Sequence, residues 1–113
     1  MSRFALVFAL CALFSAPAFA QHSNMGDMGG MDMGLVDSMT RMNNDMPKAS
    51  AGSVDADFVK MMIPHHQAAV DMAKVELAKG KDPTLRKLAE DIIAAQEKEI
   101  ALMTGWLKAN NIK

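Results

Sequence analysis

The stretch FVKMMIPHHQAAVDMA, residues 58–73, decides the fold class because its apolar residues recur at intervals of three and four. This spacing predicts an amphipathic helix from about Asp55 or Asp57 to Lys79. Pro64 removes one backbone hydrogen bond inside it, which predicts a kink or a start near Ile63. The expected buried stripe consists of Val59, Met62, His66, Ala69, Val70, Ala73 and Leu77.

A second helix is predicted after Gly80. Asp82 is suited to the N-cap and Pro83 to the first helical position. Its expected buried stripe consists of Leu85, Leu88, Ile92, Gln96, Ile100, Met103 and Leu107. A connection of only three residues requires the helices to run antiparallel. We therefore expect an all-α fold over residues 53–113, an antiparallel hairpin of two long helices of the ferritin-like or bundle type.

The polar residues of both stripes are candidate metal ligands. Folding the chain at Lys81 would place His65 and His66 level with Gln96 and Glu97, and Met62 within about one turn of Met103. Imidazole and thioether ligands suit copper, and thioethers favour Cu(I). The candidates are Met61, Met62, His65, His66 and Met72 on the first helix and Gln96, Glu99 and Met103 on the second. The alternative is that these methionines fill the core and that the histidines are only hydrogen-bonded.

A Met-rich, low-complexity segment over residues 21–52 precedes the helices, with a short helix expected over residues 35–46. Seven thioethers lie within 22 residues, at Met25, Met28, Met31, Met33, Met39, Met42 and Met46. Such a chain can wrap a soft monovalent ion such as Cu(I) or Ag(I) without protons to displace. Alternatively, the segment is a disordered tail, or its helix docks on the hairpin. His22 would chelate Cu(II) if the mature chain began at Gln21.

Residues 1–20 have the pattern of a secretory signal peptide. Arg3 supplies the positive start, residues 4–14 an apolar run, and Ala18-Phe19-Ala20 a cleavage site. We expect export to the periplasm, with no stable membrane span after processing because no later apolar run is long enough.

The composition excludes several classes of function. Without residues 1–20 the chain has 11 basic and 13 acidic residues, which gives no electrostatic basis for nucleic-acid binding. The sequence has no Gly-rich phosphate loop, no His-Glu-x-x-His motif and no cysteine after Cys11. We therefore expect a binding protein and not an enzyme.

Together with the motif of residues 58–73, the strings GKDP (80–83) and AQEKEIALM (95–103) resemble the DUF305 family. The resemblance covers residue 55 to about residue 108. It implies an exported helical bundle similar to the CopM-like periplasmic copper-binding proteins of that family. It also implies ligand roles for Met62, His65, His66, Met72, Gln96, Glu99 and Met103.

We therefore expect a copper-binding protein for metal sequestration or resistance, with silver as a competing ion. Its expected partners are metal ions, a second copy of the chain, and periplasmic copper chaperones or exporters. The alternative is a periplasmic helical interaction or stress-protection module without a physiological metal.

Overall fold

The computed structural model describes residues 29–113, which form three helices and no strand. Helix α1 spans Met33–Asp45, α2 spans Val54–Lys79 and α3 spans Pro83–Ala109. The all-helical prediction is confirmed. The predictions for the signal peptide, His22, Met25 and Met28 fall outside the described residues.

Side chains at the helix starts explain where the helices begin. Asp32 accepts a hydrogen bond from the Gly34 amide at 2.8 Å, so α1 begins two residues before the expected position. Ser53, which the sequence argument overlooked, accepts one from the Ala56 amide at 3.2 Å and caps α2. Asp82 caps α3 as expected, through the Leu85 amide at 2.9 Å. The helix bounds therefore follow from local capping.

Helix α2 is the central element, because α1 and α3 both pack on it and, within residues 29–113, not on each other. The α1 contact includes an ion pair between Arg41 and Asp71 and the close approach of Gly34 to Val75. At the α3 contact, the buried side chains of Val59 and Met103 line one cavity, and those of Ala73 and Ala89 line another. Pro64 is buried within an uninterrupted α2, so the alternative start near Ile63 is wrong.

Contacts join α2 and α3 at both ends. Near the connection, Arg86 donates to the carbonyl oxygens of Leu77 at 2.6 Å and Gly80 at 3.0 Å. At the other end, Phe58 and Trp106 line the same cavity. The start of α2 therefore lies beside the end of α3.

Only Met103 of the expected α3 stripe is fully buried, and two of its members are exposed. Leu85 and Leu88 are each 51% exposed, which corrects the sequence prediction. The reason is that α3 has α2 as its single packing partner among the described residues, so one helix covers only part of its apolar surface. No helix within residues 29–113 is long and apolar enough to cross a membrane.

Candidate functional site

The most constrained candidate ligand is His66, which is 8% exposed at the α2–α3 contact. Its Nδ1 lies 2.8 Å from the carbonyl oxygen of Met62, one turn earlier in α2. Its Nε2 lies 2.5 Å from Oε2 of Glu99 on α3. Both ring nitrogens therefore have defined partners.

These contacts assign a role to each ring nitrogen of His66. A carbonyl oxygen only accepts, so Nδ1 carries a proton and donates to Met62. Nε2 is then the nitrogen whose lone pair is available in the neutral ring. A backbone acceptor on one nitrogen is the usual device that orients a histidine whose other nitrogen binds a metal.

Glu99 supplies the charge opposite His66. Its side chain is 59% exposed, whereas the His66 side chain is 10% exposed. The pair therefore has one buried and one solvent-facing partner. An ionised carboxylate cannot donate, so the short contact needs a shared proton on Nε2 or on the carboxyl group. A cation at this position would replace that proton.

Gln96 lies one turn before Glu99 on α3 and has a buried amide oxygen. Its Oε1 has no hydrogen-bond partner among the described residues. A buried oxygen without a donor is costly, which makes it available to a cation or a bound water. The structure thus gives Gln96 an unused acceptor beside the His66–Glu99 pair on the same face of α3.

The observed contact of His66 with α3 is displaced by about one turn from the expected one. His66 meets Glu99, three residues beyond Gln96, and not Gln96 or Glu97. Side chains of an α-helix lean toward its N-terminus, so the facing side chains of two helices that run in opposite directions lean in opposite directions. A side chain of α2 therefore meets one from further along α3 than its own backbone level. Counting backbone levels from Lys81 omits this lean.

The remaining candidates on α2 and α3 do not gather around His66. Met61 is 49% exposed and lines a cavity with Ser50 and Asp57, whereas Met72 lines one with Leu85 and Leu88. Met103 is buried and lines a third cavity with Phe58 and Trp106. His65 is exposed and Met62 is half-buried. Within residues 29–113, no three His, Cys, Asp or Glu side chains form a group able to hold a metal ion.

The described thioethers of the Met-rich segment belong to α1 or lie within two residues of its ends. Met31 and Met33 are 47% and 66% exposed. The later ones are half-buried: Met39, Met42 and Met46. The helix therefore separates exposed thioethers at its start from packed ones further along.

The carbonyl oxygen of Met62, which orients His66, is the part of the site that the candidate residues did not include. The spacing of four residues between Met62 and His66 predicts only a pair of candidate side-chain ligands. The same spacing also places the His66 ring beside the backbone carbonyl of Met62.

Fold and site together define a small all-helical protein with a histidine–carboxylate pair between its two long helices. The chain belongs to the DUF305 family, whose description is "domain of unknown function", and the family match covers residues 10–111. A 59-residue part is 37% identical to "Uncharacterized protein L153" of Acanthamoeba polyphaga mimivirus. This match covers 52% of the chain and 39% of the viral protein, so the chain matches well under half of that relative's length.

Proposed function

We propose that this protein binds copper in the periplasm for sequestration or resistance, in the manner of CopM-like members of its family, and that silver competes for the same ligands. The observation that carries the proposal is the fixed orientation of His66. Its Nδ1 is held by the Met62 carbonyl, and its Nε2 faces the Glu99 carboxylate at 2.5 Å. A buried imidazole oriented in this way is suited to bind a metal ion through Nε2.

The neighbouring chemistry supports copper over harder divalent ions. Met62 and Met103 do not surround His66, but each is four residues from a member of the His66–Glu99 pair, so a side-chain rotation would bring its thioether toward that pair. Thioethers are soft ligands that select Cu(I), while imidazole and carboxylate also accept Cu(II). Met31 and Met33, exposed at the start of α1, add further soft ligands.

We infer that α2 and α3 form the antiparallel hairpin of a ferritin-like or bundle-type domain. The contacts that support this are Arg86 to Leu77 near the connection and His66 to Glu99 at mid-length. In such bundles, metal ligands project from facing helices into the space between them. His66 and Glu99 have this arrangement.

The proposed activity is binding and delivery, without catalytic turnover. Glu99 is largely solvent-exposed beside the buried His66, so an ion at this pair can be reached from outside. Exchange with periplasmic copper chaperones or exporters would use this exposed side. Export through residues 1–20 is part of the proposal and rests on the signal pattern.

Native mass spectrometry with Cu(I), Ag(I), Cu(II) and Zn(II) in turn tests this proposal. In His66→Asn the amide nitrogen can still donate to the Met62 carbonyl, but the ligating Nε2 is lost. We expect it to lose one bound copper ion per chain near neutral pH with unchanged helix content. Glu99→Gln, at an exposed position, should weaken binding of the same ion. Binding by His66→Asn equal to the parent protein would overturn the proposal.

The second candidate function is a helical interaction or stress-protection module, favoured by the exposed apolar side chains of α2 and α3. Val54 and Leu102 are 84% and 72% exposed. Such a module would bind apolar partners equally well with or without metal. Failure of every tested ion to bind the purified protein would favour it.

A further inference from the structure

A cavity of about 670 Å³ lies between the end of α1 with the segment that follows it, the middle of α2 and the end of α3. Neither His66 nor Glu99 lines it, so it is separate from the candidate copper site. Pockets that bind small organic molecules usually have volumes of about 300–1,000 Å³. The cavity is therefore large enough for a small organic ligand.

The part of the cavity wall formed by the two long helices is apolar. Ile63 and Leu107 are half-buried there, and Pro64 is buried. Pro64 has no backbone N–H, so its ring offers an apolar contact without a hydrogen-bond donor. A ligand that covers this wall needs an apolar part of its own.

Two lysines also line the cavity, Lys48 after α1 and Lys60 on α2. Lys60 Nζ donates to the main-chain oxygen of Lys113 at 2.7 Å, and Lys48 Nζ lies 3.5 Å from that of Asn43. An ammonium group has three N–H donors, so each lysine keeps donors for a further partner. Neither lysine forms an ion pair with an Asp or Glu side chain within residues 29–113.

The neighbouring acidic residues do not neutralise this pair of lysines. Asp57, one turn before Lys60, accepts instead from the Ser50 hydroxyl at 2.8 Å and the Ala51 amide at 2.6 Å. Asp45 is the single acidic residue of the lining, and it is exposed to solvent. The lining therefore has an excess of one positive charge, which favours an anionic ligand.

We propose that this cavity binds a small organic carboxylate with an apolar body. The carboxylate accepts hydrogen bonds from Lys48 and Lys60, and the apolar body packs on Ile63, Pro64 and Leu107. Both parts of the ligand are needed, because an ion pair that water can reach contributes little by itself. The proposal does not depend on copper binding.

Calorimetric titration of the purified protein with octanoate tests the proposal. We expect octanoate to bind and acetate, which has the carboxylate without the apolar body, not to bind measurably. A variant with both Lys48→Gln and Lys60→Gln should bind octanoate about tenfold more weakly, since each exposed ion pair contributes up to about fivefold. The matched control combines Lys81→Gln with Lys98→Gln, which removes the same charge from two exposed positions outside the cavity. It should bind octanoate as the parent protein does.

Methyl NMR spectra show where octanoate binds. We expect shifts of the Ile63 and Leu107 methyl signals, and not of those of Leu85 and Leu88, which line a separate cavity. No binding of octanoate by the parent protein, equal binding by the variant without Lys48 and Lys60, or shifts confined to Leu85 and Leu88 would each overturn the proposal. His66→Asn should bind octanoate normally, so this test and the copper test can fail independently.

Discussion

Lys79 Nζ lies 2.6 Å from Oδ2 of Asp32, although 47 residues separate them in the sequence. The same carboxylate accepts the Gly34 amide at 2.8 Å through its other oxygen. Asp32 therefore both caps α1 and ties its start to the end of α2. This tie positions the exposed thioethers of Met31 and Met33 beside the central helix.

The attachment of α1 should weaken in acid. The hydrogen bond from Lys79, and next that from the Gly34 amide, hold the pKa of Asp32 below its ordinary value of 3.8. A depressed folded-state pKa contributes stability that is fully present above the ordinary pKa and is lost as pH falls through the lowered one. We expect hydrogen exchange of the α1 amides to accelerate, relative to those of α2 and α3, once the pH falls below the lowered pKa of Asp32.

Asp32→Asn separates the charge from the cap, because asparagine is an equally good N-cap. The variant should be less stable than the parent protein near neutral pH, and the difference should vanish in acid. Asp57, whose pKa is lowered by the Ala51 amide and then by the Ser50 hydroxyl, remains as a second acid-sensitive contact in both proteins. A difference between variant and parent that is constant with pH would contradict the prediction.

The close approach of α1 to α2 should make Gly34→Ala destabilising. A Cβ at Gly34 would lie 2.9 Å from Cγ2 of Val75, closer than side-chain carbons approach. Overpacking costs about 1–3 kcal/mol, which exceeds the gain of roughly 1 kcal/mol from replacing glycine in a helix. We expect a net loss of about 1 kcal/mol in urea unfolding.

Gly105→Ala is the control for Gly34→Ala, because nothing lies within 4 Å of its Cβ. It should instead stabilise α3 by about 0.5–1 kcal/mol.

Arg86 should contribute more to stability than Arg41. Arg86 donates to the carbonyl of Leu77, one of the last four carbonyls of α2, which lack partners within their helix, and to that of Gly80. Loss of such charge-assisted hydrogen bonds in Arg86→Met should cost about 1.5–3 kcal/mol in urea unfolding. Arg41→Met removes the same charge but breaks only an exposed ion pair at 3.3 Å, which is worth about 0–1 kcal/mol. Equal losses of unfolding free energy in the two variants would show that the removed charge, and not the hydrogen bonds of Arg86, determines stability.

Local patterns in the sequence were enough to predict the helical class and most helix ends. Asp82 with Pro83 fixed the start of α3, and the period of residues 58–73 fixed α2. Packing could not be predicted equally well. Leu85 and Leu88 fit an apolar stripe, but how much of it is covered depends on how many helices pack against α3.

Both residues of the His66–Glu99 pair could be proposed as ligands from the sequence, but their contact with each other could not. His66 and Glu99 were both named, yet the expected neighbours of His66 were Gln96 and Glu97. Side-chain lean and the Met62 carbonyl, which are properties of folded helices, determine the observed contact. Neither the direction of a side chain nor its contact with a backbone carbonyl can be predicted from residue types alone.

The final prediction separates the two groups of candidate ligands by pH. Replacing Met25, Met28, Met31 and Met33 with Leu keeps apolar bulk and removes the sulfur atoms. Thioethers have no proton to lose, so this variant should bind fewer Cu(I) or Ag(I) ions at about pH 5 than the parent protein.

Replacing His65 and His66 with Ala should have the complementary effect. An imidazole nitrogen must be free of its proton to bind a metal, so ions held by histidine are released in acid, and this variant should lose ions at neutral pH and keep the acid-stable ones. Native mass spectrometry counts the ions, and circular dichroism checks that helix content is unchanged. If the Leu variant binds as many ions as the parent protein at about pH 5, the Met-rich segment has no part in binding and the copper capacity resides on α2 and α3. If the Ala variant also binds normally at neutral pH, the interaction module becomes the better account of the protein.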